Sequence, residues 1–112
     1  MLFLDHQQEM ETELKRPNGV RVQGKQFSIK YLKASQIPDD ALGLTKYMDL
    51  SISVQEGIPL ALEQEVVFHE ITHAVEKSLD IDMSEHQVEV LACGWIQVLR
   101  DNPGLLDYFK AK

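Results

Sequence analysis

Five residues near the middle of the chain, His69-Glu70-Ile71-Thr72-His73, have the types and spacing of a metal site with its own acid–base group. Side chains four apart lie one turn apart on one helix face, so both imidazoles can reach a single ion. Zinc accepts imidazole nitrogen at about 2.0–2.1 Å. Glu70 directly follows the first histidine, which sets its carboxylate beside the ion. An ion held there lowers the pKa of a bound water from about 15.7 to roughly 7 and polarises a substrate carbonyl. Glu70 then takes the water's proton and later delivers it to the leaving amine. The pattern predicts one Zn2+ per chain, His69 and His73 as ligands, and Glu70 as general base.

Two histidines leave such a site incomplete, because catalytic zinc usually has three protein ligands and an open position. Glu85, Glu89 and Cys93 recur every four residues downstream, and His86 borders their face. Glu89 is the expected third ligand. It falls in mid-helix among Val88, Val90 and Leu91, where a carboxylate needs a partner that a metal would supply. Glu85 and His86 are the alternatives. Cys93 reads as a small buried hydrophobe rather than a ligand. Glu76, one turn past His73, reads as a solvated helix charge, and His6 as a residue without function. Trp95 and Phe68 read as core anchors. Tyr47 and His86 have the chemistry to donate to a tetrahedral oxyanion.

The elements that must position these groups are legible around them. Residues 60–79 hold no glycine or proline, and Val67, Ile71, Ala74 and Val75 form one broad apolar face, which predicts a helix carrying the motif. Ser84-Glu85-His86-Gln87 matches a capping box and opens a second helix, which Asn102-Pro103-Gly104 ends near Asp101. Residues 105–110 add a short turn. Upstream, residues 20–23 and 26–32 alternate around Gly24-Lys25 as a hairpin, with Phe27, Ile29 and Tyr31 on one face. Residues 42–47 and 50–54 read as two more strands. The second of these, directly before the metal helix, is a candidate edge strand for pairing with an extended substrate, or equally an ordinary core strand. Strands followed by helices predict an α+β fold.

Composition bounds the partners. The 112 residues fit one domain, expected over residues 20–112, with residues 1–19 a tail, a short helix or a plug over the cleft. The 44% hydrophobic and 26% charged content is that of a folded globular chain. A net charge of −7 argues against nucleic-acid and anionic-membrane partners. With one cysteine there is no internal disulfide, and no leader or membrane span is evident, so a cytoplasmic protein is expected.

From about Gly24 to Leu106 the chain resembles small phage- and prophage-encoded zincin-like metallopeptidases, related to the ImmA/IrrE group and the minimal gluzincins. The resemblance lies in residues 26–31, in Val67-Phe68-His69-Glu70-Ile71-Thr72-His73-Ala74, and in residues 88–92 and 97–103. It implies a small twisted sheet packed on two metal-bearing helices, a cleft between them, zinc, and hydrolysis of a protein or peptide substrate. It also implies a third ligand on the helix after the motif, which falls on Glu89. The asparagine that often follows that glutamate in the ImmA/IrrE proteins is not obvious here. The competing expectation is a catalytically silent, zinc-stabilised binding module that inhibits or regulates a host protein.

Overall fold

The structure is a computed structural model, and it describes residues 14–111. The expectations for His6 and for most of the stretch 1–19 lie outside these residues. The fold is α+β. A four-stranded mixed sheet is built from β1 (Gly19–Val22), β2 (Lys25–Leu32), β3 (Gly43–Lys46) and β4 (Ser51–Gln55), followed by helices α1 (Leu60–Ser78), α2 (Glu85–Asp101) and α3 (Leu105–Lys110).

The β1–β2 hairpin turns on Gln23 and Gly24, both at positive φ (47° and 82°), as a two-residue hairpin loop requires. The strand order is β1-β2-β4-β3. β4 lies parallel to β2 and antiparallel to β3, and so enters the sheet between them. Of the two readings of residues 50–54, the core strand holds and the edge strand does not: β4 is interior, and among the described residues β1 and β3 are the edges. The alternation that suggested β4 matches its burial, since Ile52 and Val54 are fully buried. Together with Val22, Phe27, Ile29, Val66 and Ala74 they form the core between the sheet and α1.

α1 presents Glu63, Val66, Glu70 and Ala74 as its most buried stripe, with Val67, Ile71 and Val75 half-buried beside it. α2 packs on α1 through Val88, Ala92 and Ile96, spaced one turn apart. Its start is fixed as the sequence suggests: the Gln87 N–H donates to Ser84 Oγ at 3.1 Å, and the Ser84 N–H to Gln87 Oε1 at 2.9 Å. Trp95 does not anchor the core. It is 48% exposed on a second apolar stripe of α2, with Leu91 and Val98. Phe68 is half-buried. Among the described residues no helix is long and apolar enough to cross a membrane.

Candidate metal centre

His69 and His73 project from the middle of α1 toward the start of α2, with ring centroids 4.9 Å apart. One carboxylate meets both. Glu85 Oε1 lies 2.7 Å from His73 Nε2, and Glu85 Oε2 lies 3.3 Å from His69 Nε2. The three side chains offer ligand atoms within 4.8 Å of one another, and this is a possible metal-binding triad. Two imidazole Nε2 atoms and a carboxylate match the donors zinc takes. Glu85 sits in the first helical position of α2, where a negative charge also meets the positive end of the helix dipole.

Glu89, the expected third ligand, stands one turn further along α2 and is outside that triad. It lines the same cleft as His69, Glu70 and Glu85. The short connection between the helices explains the difference. It brings the first turn of α2, rather than the second, level with His73. His86 faces away, into a separate hollow with Ile81, Met83 and Val90. Cys93 is exposed rather than buried, and lines the cleft beside Glu89.

Glu70 is only 6% exposed. The Thr45 hydroxyl on β3 stands 2.8 Å from its Oε1 and 2.9 Å from its backbone carbonyl, and its single proton serves one of them at a time. Burial pushes the Glu70 carboxyl above its ordinary value, against the opposing pull of the Thr45 hydroxyl and the two histidines. β3 can approach this closely because residue 43 is glycine. A Cβ there would lie 2.7 Å from Val66 Cγ1 and 3.0 Å from Glu70 Oε2.

Glu76 was expected in solvent and is instead buried, at 4% exposure. Its Oε1 stands 3.0 Å from His73 Nδ1, and its Oε2 accepts the Met83 N–H at 2.6 Å. The Met83 N–H is the main cause holding its carboxyl below the ordinary value. The signal for this residue was its spacing: three past His73, it shares the helix side from which the histidines project.

Two hollows, of about 340 and 350 Å3, share Gly43, Glu70 and Glu85. The first opens on the His69 side, floored by Leu62, Val66 and Ala92. The second opens on the His73 side, where Tyr47 and Lys77 join the lining. Tyr47 Oη accepts a hydrogen bond from Lys25 Nζ at 2.9 Å, and that contact lowers its pKa. Residues of β3 line both hollows, Gly43 the first and Gly43, Leu44 and Thr45 the second.

The fold and site together define an α+β protein with a helical His-Glu-x-x-His motif and a convergent carboxylate. Comparison with protein-family models, curated proteins and solved structures gave no match to this chain.

Proposed function

We propose that the protein is a zinc-dependent metallopeptidase of the zincin type, with His69, His73 and Glu85 holding the ion and Glu70 as general base. The observation that carries this reading is the buried Glu70 carboxylate, facing the same cleft as the triad. A site built only to hold a structural ion has no use for it. Zinc, when bound, supplies Lewis acidity that polarises a carbonyl and makes a water easier to deprotonate.

The chain's own residues supply the rest. Glu70, with its carboxyl raised by burial, takes a proton on its carboxylate and passes it to the departing amine. Thr45 keeps that carboxylate turned into the cleft. The exposed edge of β3, beside the triad, offers backbone groups to an extended chain, which favours a peptide over a small ester or amide. Tyr47, at the same cleft, is the nearer of the two expected oxyanion donors. Glu89 serves as a further acidic group of the cleft, and in place of Glu85 it is the ligand the family resemblance implies.

The test is elemental analysis of the purified protein beside peptide hydrolysis by the parent and Glu70→Gln. About one zinc per chain in both, with hydrolysis in the parent alone, is the expected result; hydrolysis undiminished in Glu70→Gln would remove the general base and the proposal with it. The alternative, a catalytically silent, zinc-stabilised binding module that inhibits or regulates a host protein, is favoured by the exposed Leu91, Trp95 and Val98 on α2 and Tyr108 and Phe109 on α3. It predicts that Glu70→Gln keeps the biological effect with zinc bound.

A further inference from the structure

Resting on the metal-site reading above, we infer that Glu76 is the positioning residue of the centre: it selects the His73 tautomer that can bind a metal. His73 can ligate through Nε2 only if Nε2 carries a lone pair, so its one proton must sit on Nδ1. Two carboxylates compete for that proton. Glu76 Oε1 is 3.0 Å from Nδ1, and Glu85 Oε1 is 2.7 Å from Nε2. Distance alone favours Glu85, but burial reverses the preference. The Glu85 side chain is 76% exposed, so water satisfies its oxygens when His73 does not. Glu76 is buried and has two donors, the Met83 N–H and His73 Nδ1. A buried charged acceptor left without its donor loses the full cost of its desolvation, whereas a solvated one loses little. The proton therefore stays on Nδ1, and Nε2 is left free for the ion.

Met83 makes the arrangement specific to a carboxylate. Its N–H, 2.6 Å from Oε2, requires an acceptor at that position. An amide at residue 76 must then turn its oxygen to Met83 and its NH2 to Nδ1, which makes Nδ1 an acceptor and drives the proton to Nε2. Glu76→Gln, nearly identical in shape, thus inverts the tautomer while keeping the packing.

The experiment uses 15N-histidine-labelled, metal-free protein at pH 9, far above the ordinary imidazole pKa of about 6.5, where nitrogen shifts report which ring atom holds the proton. Zinc affinity of the same samples is measured by chelator competition. The parent is expected to hold the His73 proton on Nδ1. Glu76→Gln is expected to hold it on Nε2 and to bind zinc about 10–100-fold more weakly. A parent proton on Nε2 overturns the inference without any substitution, so it stays exposed even if the variant fails to fold. Unchanged tautomer and zinc affinity in a folded Glu76→Gln overturn it as well. If the parent binds no zinc, the metallopeptidase reading falls, and the tautomer alone decides what Glu76 does to His73.

Discussion

Replacing Gly43 by alanine probes a close approach between the sheet and the proposed site. The new Cβ would lie 2.7 Å from Val66 Cγ1, 2.9 Å from Glu70 Cγ and 3.0 Å from Glu70 Oε2. None of these neighbours yields easily. Val66 is β-branched and buried, and Glu70 is held between β3 and α1. Overpacking of this kind costs about 1–3 kcal/mol. Gly43 has no positive φ, so alanine also recovers about 0.5–1 kcal/mol of glycine's conformational entropy. The clash is the larger effect, leaving a net loss of about 1–2 kcal/mol, or roughly 5–10 °C in Tm for a chain of this size.

The matched control is Gly94→Ala on α2. Its Cβ meets nothing within 4 Å, and it should stabilise by up to about 1 kcal/mol through helix propensity. Thermal unfolding of both variants, with zinc titration and peptide hydrolysis alongside, completes the assay. Gly43→Ala should keep zinc affinity within a few-fold, because the clash touches no triad residue, and lose more than about tenfold in hydrolysis, because it displaces Glu70. A Gly43→Ala protein melting at or above the parent would refute the packing argument.

Burial raises the Glu70 carboxyl, so its contribution is favourable below the unfolded value and lost as pH rises through the folded one. Metal-free Glu70→Gln should therefore melt above the metal-free parent at pH 8, with the gap closing toward pH 4; equal melting at pH 8 would contradict the raised value. Zinc at one hundred times its Kd should stabilise the parent by about 2.7 kcal/mol. Glu85→Ala should abolish most of that gain and Glu89→Ala little of it, while the reverse ranking would assign the third ligand to Glu89. Arg16 Nε donates to the buried Glu63 at 2.8 Å, so Arg16→Ala should lower stability by about 1–3 kcal/mol in urea unfolding. No change would place the pair among surface bridges of little worth.

The local elements were legible because each is written in short-range chemistry. The helix of the motif and the capping box at Ser84 stand where spacing puts them, and the β1–β2 hairpin does so with its turn one residue earlier, on Gln23-Gly24 rather than Gly24-Lys25. Partner choice was not legible. Alternation marks β4 as a strand with one buried face, yet its insertion between β2 and β3 depends on the path of residues 33–42, which the alternation does not encode. α2 carries two apolar stripes, Val88-Ala92-Ile96 and Leu91-Trp95-Val98. Periodicity cannot say which meets α1, and the smaller side chains do. Glu89 was preferred to Glu85 on its apolar neighbours, but Val90 and Leu91 prove exposed, and that removes the burial argument.

The buried carboxylates of α1 complete the case for the site. Glu63 and Glu70 lie in line with Val66 and Ala74, a stripe that a hydrophobic period alone would fill with apolar residues. A charge in such a place must be compensated. Glu63 has the Arg16 guanidinium, and Glu76 has the Met83 N–H and His73. Among the described residues Glu70 takes a single hydrogen bond, from the Thr45 hydroxyl that it shares with its own backbone carbonyl, and burial holds its carboxyl above the ordinary value against the pull of that hydroxyl and the two histidines. Glu63 and Glu76 each meet a cationic or N–H donor inside the fold. The third is left under-compensated beside two histidines and an exposed glutamate, where a cation would supply what the fold withholds. A buried carboxylate compensated so sparingly is the pattern expected of a base that must alternately accept and release a proton.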